Sequence, residues 1–251
     1  MTKLIHNQRL SLTNIVRSSL NKEQTTTWLR GLMTIAYADG KLDATEKNLF
    51  DHFSHDEFAS TIEISELQTI SPEELAKVFK HDPSIAENFL RTAVMVALAD
   101  GVYSTTEDKV LHKYCNALGL KVKALEALRK NLEKAKEQAE ENDLEGWLEE
   151  AEHTGSPIIP HDPEHDKTIL TPIKDWLDKW DINDPKIAHM VCKMIPPQCP
   201  FERDVVIFGK KVAHIPAMCK LNPVYDQLVG LRFRALSYLA DECKEDISRY
   251  C

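Results

Sequence analysis

Four of the six cysteines in this 251-residue chain, Cys192, Cys199, Cys219 and Cys243, fall within one C-terminal stretch. Gathered thiols bring the richest chemistry available here, because a thiolate ligates zinc or iron and exchanges with disulfides. Cys199 precedes Pro200, and Cys219 lies just before Asn222-Pro223. Both therefore stand at expected helix starts, where amides and the helix dipole favour a thiolate. Cys192 and Cys243 are expected near helix ends, so all four would meet at one end of a bundle. The gaps of 6, 19 and 23 intervening residues contain no Cys-x-x-Cys pair, the spacing on which most zinc and iron–sulfur sites are built. Two readings stay open: an iron–sulfur cluster or zinc held by these thiols, and thiols packed as small hydrophobes.

Oxygen ligands are offered by Asp39, Asp43, Glu46, Asp100 and Glu107, which follow two similar turns and could hold a divalent cation. Against that, Asp43 with Glu46, and Ser104 with Glu107, fit capping boxes that satisfy free amides at a helix start. His112 and Cys115 are three apart on one expected helix, a spacing open to two ligands or to a packed helix edge. His153, His161 and His165 lie in an acidic, breaker-rich stretch and read as solvated, and His189 and His214 read as packed or hydrogen-bonded. Arg203, Arg232 and Arg234 are expected to pair with Glu202, Asp204 and Asp241 rather than to bind phosphate. The chain has no Gly-x-x-x-x-Gly-Lys loop, Gly-x-Ser-x-Gly elbow or His-Glu-x-x-His pair, so no enzyme activity is expected.

The elements that must carry these residues read as helices. Trp28-Leu29-Arg30, Ala38-Asp39-Gly40 and Glu46 recur as Phe89-Leu90-Arg91, Ala99-Asp100-Gly101 and Glu107, each pair offset by 61 residues. Such register marks an internal repeat of helix, tight turn and helix. Ser71-Pro72, Asp82-Pro83, Asp184-Pro185 and Asn222-Pro223 each join a capping side chain to a proline suited to the first helical position. Gly119 closes the helix that follows Ser104. Residues Val122 to Glu152, rich in Ala, Leu, Glu and Lys, read as a long solvent-facing helix. Cys199-Pro200 is expected to begin a third C-terminal helix, and Asn222-Pro223 a long fourth one running to about Cys243. No run of period-two alternation stands out, so the fold class is all-α: two helical bundles, with residues 1–153 and 171–251 joined by a linker at 154–170.

Composition excludes several classes. The net charge of −9 is uneven: residues 171 onward hold 12 Lys and Arg against 11 Asp and Glu, and earlier residues hold 19 against 29. A nucleic-acid backbone would be repelled by the first part and barely drawn to the second. No apolar run approaches the roughly 20 residues that a spanning helix needs, which leaves peripheral membrane contact open. Residues 1–20 lack the apolar core of a secretory signal, so a cytoplasmic protein with reduced thiols is expected.

The repeat resembles the tellurite-resistance TerB-like family over about residues 22 to 150. Cys199-Pro200-Phe201-Glu202-Arg203-Asp204, Cys219-Lys220-Leu221-Asn222-Pro223 and Leu231-Arg232-Phe233-Arg234-Ala235-Leu236 look like the Mo-dependent nitrogenase C-terminal family. The first resemblance implies a compact helical module associated with metal or envelope stress, and the second a small domain with no established reaction. Together they lead to the expectation of a non-enzymatic helical adaptor or binding protein with a protein partner. The alternative is a redox or metal sensor using the four C-terminal cysteines.

Overall fold

A computed structural model describes residues 20–38, 68–98, 102–141, 156–157, 163–195, 197, 203–207, 210–215 and 224–250. Among the described residues eight α-helices dominate: α1 (Lys22–Ala36), α2 (Pro72–Phe79), α3 (Pro83–Ala97), α4 (Thr105–Ala117), α5 (Lys123–Glu141), α6 (Pro163–Asp178), α7 (Pro185–Met194) and α8 (Tyr225–Ser237). A π-helical turn (Tyr238–Glu242) and a 3-10 turn (Ser248–Tyr250) follow α8. The fold is helical, as the sequence leads one to expect.

Local chemistry sets most helix starts. Ser71, Asp82 and Asp184 each accept first-turn amides ahead of a proline, and Ser104 forms a reciprocal capping box with Glu107. Asn21 does the same with Gln24 at the start of α1. Gly119 takes φ +71° after α4, a conformation that costs glycine little. Helices α1 and α3 each run for 15 residues, and their first and last residues are offset by the 61 positions of the sequence repeat.

In the front bundle, α1, α2, α3 and α4 surround an aromatic centre. Trp28 meets Phe79 at 5.8 Å and Phe89 at 5.5 Å, both edge-on, and Phe89 meets Tyr114 at 5.7 Å. Full burial of each such side chain contributes about 1.5–3 kcal/mol, and favourable ring geometry adds roughly 0.5–1.5 kcal/mol per pair. Gly31 admits the Phe89 ring so closely that a Cβ there would lie 2.6 Å from it. The rear bundle packs α8 against α6 and α7 through Ile173, Leu177, Trp180, Met190, Val191, Leu231 and Ala235.

The third C-terminal helix and the long helix after Val122 need correction. Past Cys199-Pro200 the chain forms an antiparallel hairpin, β3 (Arg203–Ile207) with β4 (Lys210–Ile215), rather than a third C-terminal helix. Val205, Val206, Ile207, Val212 and Ile215 are β-branched, which favours extended backbone. A register shift between Val205 and Val206 leaves Val212 as the extra residue of a bulge. A second pairing, β1 (Val102–Tyr103) with β2 (Ser156–Pro157), brings part of the expected linker back to the front bundle. Where its side chains are described, at 123–133, the long helix buries one face rather than being wholly solvent-facing, and residues 142–152 of that expectation lie outside the described residues. Ala124, Leu125, Ala127, Leu128 and Leu132 of α5 are buried, and α5 packs along α6 and against α4. Helix α6 itself begins inside the expected linker and runs on into the rear bundle. The buried apolar residues of both bundles form one continuous cluster from Leu20 to Tyr250.

Candidate functional site

The described cysteines are reduced. Cys192 is buried in α7, and Cys243 ends the π-helical turn, half buried, where that turn packs on α7. Burial pushes the Cys243 thiol up; the hydrogen bond with Tyr238 opposes this, and Glu245, Glu242 and Asp184 reinforce it. A thiol held in that form is a poor ligand until a metal displaces its proton. Cys199 and Cys219 lie outside the described residues, and Cys192 and Cys243 lie on elements that pack together. Cys115 donates to the Leu120 carbonyl at 3.2 Å, and burial pushes its thiol up as well.

Asp39, Asp43, Glu46 and Asp100 lie outside the described residues. Glu107 does not wait for a cation: its Oε2 accepts from the Ser104 amide at 2.8 Å and the Ser104 hydroxyl at 2.7 Å. One residue on, Asp108 is the centre of a buried network that the sequence reading missed. Its carboxylate accepts from Arg129 through Nε at 2.9 Å and Nη2 at 2.7 Å, and from the Tyr103 hydroxyl at 3.1 Å. His112 Nδ1 lies 3.1 Å from Asp108 Oδ1. His112 therefore faces Asp108 while Cys115 faces a carbonyl, and the two form no ligand pair. The i, i+4 spacing of Asp108 and His112 was the available signal.

At the C-terminal corner, Arg232 is only 5% exposed and donates to the carbonyls of Cys192, Ile195 and Tyr250. Arg234 donates to the Leu177 and Asp178 carbonyls, each at 2.9 Å. Both were expected to pair with carboxylates; instead they donate to backbone carbonyls at and beyond helix ends. The Arg203 and His214 side chains, with His153 and His161, lie outside the described residues. His165 falls within α6, but its side chain is likewise outside them. His189 Nε2 lies 2.9 Å from Glu245 Oε2, while Nδ1 lies 2.7 Å from the Tyr250 hydroxyl and 3.2 Å from Arg249 Nη2. That pattern assigns a neutral ring with the proton on Nε2, leaving Nδ1 to accept. Burial lowers the His189 pKa against the pull of Glu245.

The bundles meet at a polar seam. Glu87 Oε1 on α3 accepts from Arg91 Nη2 at 2.8 Å and from Trp176 Nε1 on α6 at 2.9 Å. The Arg91 guanidinium stands 5.4 Å from the Trp176 ring centre and 5.9 Å from that of Trp180, within cation–π range. Farther along, Asp184 at the start of α7 accepts from the Leu20 amide at 3.1 Å, and Lys186 reaches the Leu20 carbonyl and the Thr25 hydroxyl. Beside Trp176 an open groove of about 880 Å³ runs between the segment leading into α5 and one side of α6. Lys121, Lys123 and Lys179 border it, with Pro172 and Val122 among its apolar walls.

Residues 50–130 match the family described as Tellurite resistance protein TerB, and residues 169–251 match the family described as Mo-dependent nitrogenase C-terminus. A TerB-like region precedes a Mo-dependent nitrogenase C-terminus-like region. No curated protein and no solved structure matches the chain. These families suggest a helical protein of a stress- or metal-related setting. The TerB match takes in α2, α3, α4 and the start of α5, so it supplies Glu87, Arg91, Lys121 and Lys123; the second match supplies Trp176 and Lys179. Among the described residues, no three His, Cys, Asp or Glu side chains are grouped to hold a metal ion, and no helix is long and apolar enough to cross a membrane.

Proposed function

We propose that the chain is a non-enzymatic adaptor that works in the cytoplasm and binds a protein partner in a stress- or metal-related setting. The observation that carries this reading is the seam. Trp176, Glu87 and Arg91 join the TerB-like and Mo-dependent nitrogenase C-terminus-like regions into one surface, with a groove along the join. The ionisable groups of the two buried corners are spent on structure: Asp108 holds Arg129 and Tyr103, and Arg232 holds three carbonyls. The charge of −9 supports a protein rather than a nucleic-acid partner. Affinity capture from native cells, with chemical cross-linking, is expected to recover a partner at near-equal amounts. Recovery of nothing above background would sink the reading.

A redox or metal-sensing role is the second reading, and it is favoured by Cys192 and Cys243 lying on elements that pack together. Purification without oxygen, followed by absorption spectroscopy and assays for iron and zinc, tests it. Metal that is lost in Cys199→Ser supports sensing, whereas colourless, metal-free protein removes it.

A further inference from the structure

We propose that the seam groove docks an acidic peptide segment of the partner protein. This rests on the adaptor reading and adds the chemistry of what binds. Lys121 and Lys123 stand on one side of the groove and Lys179 on the other, all three exposed. Its two carboxylates are unequal. Glu87 is engaged by Trp176 and Arg91, which leaves Asp175 facing three ammonium groups. The groove is therefore locally cationic in a chain of net charge −9. An acidic segment is repelled by most of this surface and attracted here, which gives register as well as attraction.

The start of α5 strengthens the field. Val122, whose carbonyl accepts the Leu125 and Glu126 amides, has no side-chain acceptor for the amides of Lys123 and Ala124, and these residues line the groove at the positive end of the helix dipole. Two lysines flanking a helix start oppose the helix dipole, a local cost that a bound carboxylate removes. Leu120, Val122, Pro172 and Trp176 add apolar wall along the groove, suited to aliphatic side chains spaced between acidic ones. An extended phosphate backbone fits less well, because it would continue onto acidic surface.

The test uses the intact chain and a fluorescein-labelled peptide of alternating glutamate and leucine pairs, followed by anisotropy. Saturable, salt-sensitive binding is expected, weakened about tenfold or more by combined Lys121→Glu, Lys123→Glu and Lys179→Glu. The same charge change at Lys77, Lys80 and Lys113 is expected to cost much less, and circular dichroism confirms that each variant is folded. Equal weakening by both triple variants, or no saturable binding, overturns the proposal. So does a result in which inorganic phosphate displaces the peptide and a leucine-free glutamate peptide binds as tightly, since that describes a small-anion site. A cross-linked cellular partner that contacts other surfaces defeats the groove and spares the adaptor. Peptide binding with no cellular partner defeats the adaptor and spares the groove.

Discussion

The aromatic centre of the front bundle and the arginine-centred corner of the rear bundle are both buried, yet opposite forces hold them. Trp28, Phe79, Phe89 and Tyr114 touch ring to ring, and their contribution is apolar area with ring geometry added. At the rear, Arg232 lies among backbone carbonyls, with His189, Glu245, Arg249 and Tyr250 linked around it. An apolar centre tolerates changes in pH and salt. A polar corner carries the same fold at a larger risk, because each group removed strands the partners it leaves behind.

The largest expected effects test that contrast directly. Trp28→Ala should cost about 3–5 kcal/mol in urea unfolding, with nearly the same loss at every pH where the chain is folded. Arg232→Ala should cost about 3 kcal/mol by removing the guanidinium hydrogen bonds to the Cys192, Ile195 and Tyr250 carbonyls, and Arg232→Lys should restore little of it. If lysine restores full stability, the planar fork is not what matters. Gly31→Ala comes next. Its Cβ would lie 2.6 Å from Phe89 Cζ and 2.9 Å from Leu75 Cδ1, so overpacking of about 1–3 kcal/mol should outweigh the helix-propensity gain. A more stable Gly31→Ala would show that the aromatic centre can shift.

Smaller effects are expected where the two regions communicate. Trp176→Phe removes one of the two donors to Glu87 and should cost about 1 kcal/mol, with faster hydrogen exchange in α5 and α6 than in α1. Uniform exchange across all three helices would mean that the seam does not couple the bundles. The smallest effect is the pH response of the rear corner. His189 lies below its ordinary value of 6.5 in the folded chain, so the unfolded chain binds more protons just below that pH. The stability contributed by neutral His189 is present above pH 6.5 and is lost as pH falls through the lowered folded value. Wild type should therefore lose its melting-temperature advantage over His189→Asn on acidification below about pH 6.5. A constant difference would place the pH response in other groups, with Glu245, Arg249 and Lys193 the nearest.

Much of the helical framework was legible because its signals are local. Ser71, Asp82, Ser104 and Asp184 cap where their side chains and neighbouring prolines or glutamates said they would, and Gly119 closes α4. Composition misled at α5: abundant Glu and Lys hid the three- and four-residue spacing of Leu125, Leu128 and Leu132, which turns inward. The Cys199-Pro200 signal likewise outweighed the short β-branched runs that form β3 and β4. The partners of Arg232 and Arg234 were not legible at all, since backbone carbonyls occur at every position and carry no residue-specific mark. Of the candidate ligands, Glu107 was readable as a cap, whereas the groove lysines come from segments 55 or more residues apart, which only folding brings together.

The seam bears on how such a chain is inherited. Glu87, Arg91 and Trp176 match one another as a set, so a gene segment encoding the rear helices could not be grafted behind an arbitrary upstream bundle. It would arrive with an indole lacking its acceptor and an oily flank of α6 open to water. Recombination that keeps the pair together preserves the fit, and recombination that separates them selects for a new one.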